Sequence, residues 1–393
     1  VAIQRRERKD GPVYRVLWRD ERRALRSRTF SRKRDAEAWE ATVKLAKRRG
    51  ELAALDAGQQ TLESFIGEWW KLYAEPNLSP KTLEMYARFR DRFIVPKLGH
   101  LQIRRLTPER IQSFRLELES EKAGRETIRK TLTMLQGILK RAVEWGRIAN
   151  NPAQYVPKPA QARARTISPL SPLAVERLRR ELLQREWPRD AALVSVLAYA
   201  GLRPNEALAL RWGDISAKSI RVDKALSLGV EANTKTRRAR NVQLLAPLAD
   251  DLKEWRRISG NPAADALVFP TREGGPWPDH YYRNWRGRRY IGAAEAAGVS
   301  RRPYDLRHSM ASLLLAAQRN HVEVAAQMGH TLQTLFSTYS HVIDDLRGRR
   351  AINPEREIRA AKAKVARERV AQKLPEGRSP TAKRATVRAK PAA

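Results

Sequence analysis

The helical periodicity that begins at Leu62 stops at Asn150-Asn151-Pro152, and no comparable pattern resumes until Leu173. Proline has no amide proton and clashes with the preceding turn, so a helix does not pass through such a triplet. The stretch from Asn151 to Pro172 is rich in Pro, Ala, Gln and Arg and reads as a linker. A chain of 393 residues interrupted in this way is expected to fold as several domains rather than around one core.

Four segments result from that division. Residues 1–55 read as a small α+β module. Val13-Tyr14-Arg15-Val16-Leu17-Trp18 and Arg23 to Phe30 form a hairpin, followed by a helix from Lys33 to Arg49. Ala36, Trp39, Val43 and Ala46 share one face of that helix, with Ser31 to cap it and Gly50 to end it. Residues 61–155 read as all-α, because Leu62, Phe65, Ile66, Trp69, Leu72 and Tyr73 recur at helical spacing. Ser79-Pro80 and Thr107-Pro108 each set a capping hydroxyl before a first-turn proline. A further helix spans about Glu126 to Trp145, with Leu132, Leu135, Leu139, Ala142 and Val143 inward. Residues 166–350 read as mainly α, opening with a helix from Leu173 to Gln184 and carrying a buried helix at Ala191 to Leu202. A short β section is expected at Ser219 to Asp223 and Arg240 to Leu244. Residues 351–393 form a basic, flexible tail rich in Ala, Lys and Arg, whose first half can be helical.

Charge narrows the partner. The formal net charge is +35, and a polycation of this size gains affinity from phosphates by releasing condensed counterions. Residues 1–50 alone hold 17 basic against 7 acidic residues, and the tail holds 12 against 4. Anionic membrane and ribosomal RNA are the alternatives, but an excess spread along the whole chain favours an extended duplex. No apolar run approaches the length of a membrane span, and the basic N-terminal residues carry no apolar signal core, so a cytoplasmic location is expected. With zero cysteines, disulfides, thiolate metal sites and cysteine nucleophiles are excluded. No Gly-Lys-Ser/Thr phosphate loop is present, so ATP use is not expected.

The chemistry sits in three short motifs: Gly201-Leu202-Arg203-Pro204-Asn205-Glu206, Tyr304-Asp305-Leu306-Arg307-His308-Ser309, and Met328-Gly329-His330 with Tyr339 nine residues beyond the histidine. In-line attack on a phosphodiester needs cations on the two non-bridging oxygens, an ionisable nucleophile and an acid for the departing oxygen. Arg203 and Arg307 suit the first task, because a guanidinium binds phosphate bidentately and stays charged. Tyr339 suits the second, with a phenol pKa of about 10 that a positive field and a base must overcome. Lys235, in Asn233-Thr234-Lys235-Thr236-Arg237-Arg238 on the turn of a β-hairpin, is the candidate acid, although any cation of that segment could instead contact DNA. Glu206, one turn beyond Arg203, can orient its guanidinium.

In this order the motifs resemble the tyrosine recombinase (phage integrase) family. Gly201 to Glu206 is similar to its first arginine box and Lys235-Thr236 to its hairpin lysine. Asp305 to Ser309 is similar to its second arginine box, and Gly329-His330 with Tyr339, His341 and Val342 to its nucleophile box. The resemblance covers residues 1–345 and implies an arm-type DNA-binding module, a core-binding domain and a catalytic domain. It also implies a site-specific recombinase that joins Tyr339 to a 3′-phosphate, needs no cofactor or metal, and works as a homotetramer on two duplex attachment sites. A directionality factor or a DNA-bending host protein would be further partners, on the nucleoid of a bacterial cell. The arm-type module points to a phage or other mobile element. A non-catalytic DNA-binding protein on the same fold and a type IB topoisomerase are the alternatives. One position departs from the family pattern: Tyr304 stands where members place a histidine. Its hydroxyl could bond the phosphate or Tyr339. His308, adjacent to Arg307 on a helix, is expected to point elsewhere, as a packing or supporting group, which gives His330 more weight as phosphate donor.

Overall fold

The computed structural model describes residues 1–8, 11–19, 23–50, 58–161, 169–227, 229–233, 239–299 and 302–373. The chain divides into two units, Val1–Ala164 and Arg165–Ala393.

In the first unit, strands β1 (Ala2–Arg8), β2 (Gly11–Arg19) and β3 (Leu25–Phe30) form an antiparallel sheet in sequence order. Ala2 pairs with Leu17 and Tyr14 with Phe30. Helix α1 (Lys33–Arg48) buries Ala36, Val43 and Ala46 against Val16 and Trp18, and Trp39 meets Trp18 edge-on at 5.9 Å. The two-stranded expectation missed β1. Its sequence, Ala-Ile-Gln-Arg-Arg-Glu-Arg, is exposed on both faces except at half-buried Ile3, so backbone pairing rather than an apolar alternation makes it a strand. Ser31 does not cap α1; the cap position is Arg32, with no side-chain bond.

The helical part of this unit runs through α2 (Leu62–Trp69), α3 (Pro80–Phe89), α4 (Pro108–Ser120) and α5 (Arg125–Glu144). Ser79 and Thr107 accept from the amides of Thr82 and Arg110, as their Ser-Pro and Thr-Pro signatures predict. After Trp69 the helix widens into a π turn, Trp70–Ala74. An i→i+5 turn carries an extra residue and rotates the residues beyond it about the helix axis. Leu72 is therefore 64% exposed rather than inward, and Ala74 takes a buried place. The expected linker is also shorter than read. Ala153 and Val156 are buried in the helical core, Asn151 donates to the Gln136 carbonyl at 2.9 Å, and Lys158 donates to the Gln136 side chain at 2.6 Å.

The second unit is organised around α7 (Pro188–Tyr199), whose residues from Asp190 onward are all buried. Helix α6 (Pro172–Gln184), the short α8 (Pro204–Leu208) and α9 (Ala246–Ile258) join its core. Strands β4 (Ser219–Val222) and β7 (Arg240–Gln243) pair antiparallel, Ile220 opposite Val242. Between them lies a second hairpin that the sequence pattern does not announce, β5 (Lys224–Ser227) with β6 (Val230–Asn233). Four-residue strands of mixed polarity carry too little period-two signal to be read. Lys235 falls between β6 and β7, outside the described residues. Helices α10 (Asp279–Trp285), α11 (Ile291–Ala296), α12 (Leu306–Ala316), α13 (His321–Met328) and α14 (Leu332–Leu346) complete the core.

The expectation of a flexible tail fails for its first part. Helix α15 (Pro354–Lys373) packs on α6 and α9 through Ile358, Ala361 and Val365, which lie on one helical stripe. Lys362 reaches Asp251 at 2.6 Å, and Glu368 bonds Arg177 at 2.8 Å and Arg180 at 3.3 Å. Three apolar residues at spacing three and four are enough for docking, although Ala, Lys and Arg dominate the composition. Residues 374–393 lie outside the described residues. Ile358→Ala should lower the unfolding free energy of this unit by about 2–4 kcal/mol in urea titrations. A tail helix that did not dock would give no change.

Candidate active site

Four segments of the second unit bring the chemistry-bearing motifs together. Gly201, at φ +68°, turns the chain from α7 into α8, and an added Cβ there would stand 2.9 Å from Met328 Sδ. Arg203 sits at the cap of α8, where Glu206 Oε2 accepts from its amide at 2.9 Å and Oε1 from its guanidinium at 2.7 Å. Its Nη2 donates to the Gly329 carbonyl at 2.9 Å. Glu206 thus orients Arg203, as its spacing suggests, and it does so inside the protein, being 3% exposed.

A second arginine shares Glu206. Arg240, the first residue of β7, donates to both carboxylate oxygens at 3.0 and 2.6 Å and to the Gln327 carbonyl at 3.3 Å. Burial pushes the Glu206 carboxyl up, but the bonds and charge of Arg240, with those of Arg203, outweigh it and hold the group at about 2. Sequence reasoning did not find Arg240. It ends a basic run, Arg237-Arg238-Ala239-Arg240, in which no residue is distinguishable without the fold.

Arg307 is the buried centre, 1% exposed in the first turn of α12. It donates to the carbonyls of Gly201 and Met328, and its Nη2 lies 3.0 Å from His330 Nε2. Burial, and then the neighbouring Arg203, bring its pKa down to about 10, so it remains charged at neutral pH. His330 is presented by Gly329, which closes α13 in the left-handed conformation at φ +59°. Burial and the surrounding guanidiniums push His330 down to about 3, so its ring is neutral. With Nε2 accepting from Arg307, the ring proton belongs on Nδ1. Among the described residues, His330 Nδ1 and Arg307 Nε are both buried donors without a partner.

Tyr339, on the inner face of α14, is fully buried, with its ring 28° from that of His330 at 6.4 Å. Burial raises its phenol pKa and Arg307 partly offsets the rise. The expectation that His308 points elsewhere is corrected: its Nδ1 lies 2.6 Å from Tyr339 Oη. Successive helical residues differ by about 100°, so Arg307 turns towards α8 and α13 while His308 turns towards α14. Tyr304 is the residue left outside. It is 42% exposed, stands edge-on to His308 at 5.9 Å, and among the described residues its hydroxyl makes no hydrogen bond. The structure therefore gathers Arg203, Glu206, Arg307, His308, His330 and Tyr339, adds Arg240, and leaves Tyr304 at the rim. Among the described residues, three guanidiniums against one carboxylate, with two donors left unpaired, make an anion site beside a buried phenol.

Residues 173–345 match the profile described as "Phage integrase family", and residues 61–118 match "Phage integrase, N-terminal SAM-like domain". The chain belongs to the phage integrase family of tyrosine site-specific recombinases. This recombinase is 30% identical over 253 residues to the prophage integrase IntR of Escherichia coli K12. That match takes in 58% of this chain and only 60% of the relative. The integrase of Mycobacterium phage L5 is 26% identical over 331 residues, 79% of this chain and 85% of that one. Among solved structures, the Tn1549 transposon integrase in complex with a circular intermediate DNA shares the fold. Its TM-score is 0.61 at 16% identity, over 71% of this chain and 95% of that one. Among the described residues, no helix of the recombinase is long and apolar enough to cross a membrane.

Two consequences can be measured. The Glu206 carboxyl titrates near 2 when folded, against an ordinary 4.5, so its clamp stabilises fully above about 4.5 and loses that contribution as pH falls towards 2. The stability gap between wild type and Glu206→Gln, on the order of 3 kcal/mol at neutral pH, should close over that window in urea titrations. Gly329→Ala places a Cβ 3.2 Å from the Arg240 guanidinium in a left-handed backbone. It should cost about 1–2 kcal/mol of stability from the backbone alone and lower the melting temperature accordingly.

Proposed function

We propose that this protein cuts and rejoins duplex DNA at specific sites through a covalent 3′-phosphotyrosyl bond to Tyr339. The observation that carries the reading is the pairing of a buried tyrosine hydroxyl with an anion site built from Arg203, Arg307 and His330. The guanidiniums and the His330 Nδ1–H would bind the non-bridging oxygens and gain strength as charge builds in the transition state. Tyr339 Oη forms the new bond to phosphorus, the bond to the 5′-oxygen breaks, and that oxygen leaves as a hydroxyl. Lys235 would supply the proton, a role that rests on the resemblance of its segment. Attack by a 5′-hydroxyl of a partner duplex reverses the step and releases Tyr339. One phosphoester replaces another, so the exchange needs no external energy source.

The remaining assignments belong to the same proposal. Residues 1–55 would bind arm-type DNA, residues 61–155 the core site, and residues 166–350 would carry the chemistry. Strand exchange between two duplexes breaks four strands, and each chain holds one such tyrosine, so four copies are required. The relatives from a prophage and a phage support work on a mobile element, on the nucleoid in the bacterial cytoplasm, with room for a directionality factor or a DNA-bending protein.

The test uses pooled nicked duplexes of randomised sequence, in which cleavage beside the nick releases a short strand and traps the covalent product. Wild type should capture a defined subset, with protein attached to the 3′-phosphate, and those duplexes should then support joining. Tyr339→Phe should bind the captured duplexes and attach to none. A covalent product from Tyr339→Phe would refute the assignment, and relaxation of plasmids lacking any captured site would favour a topoisomerase.

A further inference from the structure

Resting on that reading, we propose that His308 is the base that removes the proton from Tyr339 as it attacks. Among the described residues, His308 Nδ1 is the hydrogen-bond partner of Tyr339 Oη, at 2.6 Å. The other imidazole of the cluster is not available. His330 Nε2 is engaged by the Arg307 guanidinium, so its lone pair is used and its remaining nitrogen can only donate. Tyr304 stands at the rim, in ring contact with His308 and without a bond to Tyr339. The two histidines thus divide the work: His330 donates to the phosphate, and His308 accepts from the nucleophile.

The surroundings of His308 suit a neutral base. Burial, together with Arg307 and Arg302, holds its pKa below the ordinary histidine value, while Asp305 opposes them. Among the described residues, Tyr304, Tyr339 and His330 are the other titratable groups that face it. A neutral ring protonated on Nε2 leaves the Nδ1 lone pair on the Oη–H axis. During cleavage the Oη–P bond forms, the bond from phosphorus to the 5′-oxygen breaks, and the phenolic proton moves to Nδ1. The 5′-oxygen takes its proton from a separate acid. In rejoining, the His308 imidazolium returns its proton to the departing Oη, so the cycle closes without another reactant. His308 touches a reacting atom and is by that measure a catalytic residue.

The experiment uses the full chain and the duplexes captured by wild type. Each is prepared with the ordinary 5′-oxygen and with a 5′-sulfur at the scissile phosphate. A thiolate leaves without an acid, so only defects in nucleophile activation persist on the sulfur substrate. His308→Asn keeps an oxygen close to the position of Nδ1, able to hold the Tyr339 hydroxyl but not to take its proton at neutral pH. It should attach about 10²-fold more slowly or worse on both substrates, with unchanged DNA binding. Fluorinated tyrosine at position 339, whose phenol is more acidic, should recover much of that loss. His308→Asn attaching as fast as wild type would overturn the proposal, and so would a defect confined to the oxygen substrate. Should the Asn variant not fold, fluorination of Tyr339 in the wild-type background still decides. A base in the rate-limiting step requires the attachment rate to change with phenol acidity, and an unchanged rate rejects it. No covalent product from wild type would remove the recombinase reading as well, whereas a fast His308→Asn removes only this one.

Discussion

The site depends on the Arg307 guanidinium, buried at the start of α12 and bonded to the carbonyls of Gly201 and Met328 and to His330. A charge at this depth is held by whatever accepts from it. Its acceptors come from the turn before α8 and the end of α13, so one side chain ties together three segments far apart in sequence. Both acceptor regions include a left-handed glycine. Gly201 and Gly329 let the backbone pass close to Met328 and Arg240, where a Cβ would stand 2.9 Å from Met328 Sδ and 3.2 Å from the Arg240 guanidinium, respectively. Without Arg307 those loops would lose the group that sets their spacing, and His330 would lose the donor that fixes its tautomer.

The electrostatics are a consequence of that arrangement. Among the described residues, three guanidiniums crowd one another and Glu206 is the carboxylate that compensates, being strongly acidified in turn. The residual positive charge, and donors on Arg307 and His330 that no described residue accepts from, favour an anion. Tyr339 shows the opposing effect. Burial makes its phenol a weaker acid, and only part of the rise is offset by Arg307. A phenol raised in this way holds its proton tightly, and the fold places His308 at hydrogen-bond distance from it.

Much of the architecture could be read from short-range signals. The Ser79-Pro80 and Thr107-Pro108 starts, the buried run through α7 and the break at Asn150-Asn151-Pro152 each depend on residues within one or two turns. The features that sequence reasoning missed needed contacts across the fold. Strand β1 exists because β2 pairs with it, α15 docks through three scattered apolar side chains, and Leu72 is turned outward by a π turn with no sequence signature. In the site, Arg203, Arg307, His330 and Tyr339 were identifiable from motif order. Arg240 is hidden in a basic run, and the contact of His308 with Tyr339 depends on a helix rotation that adjacency to Arg307 does not reveal.

The sequence by itself determined the chemical inventory: a strongly basic chain without cysteine, two arginine boxes, a Gly-His pair and a tyrosine nine residues beyond it. Those are properties of residue type and local spacing. The tertiary structure alone decided which group meets which. It paired Arg203 and Arg240 with one carboxylate, fixed His330 as a donor, set Tyr304 at the rim and placed His308 on the phenol. Such pairings are set by the packing of α8, α12, α13, α14 and β7 against one another. The direction of a side chain across a core depends on helix rotation and loop conformation, and neither is encoded by neighbours in sequence.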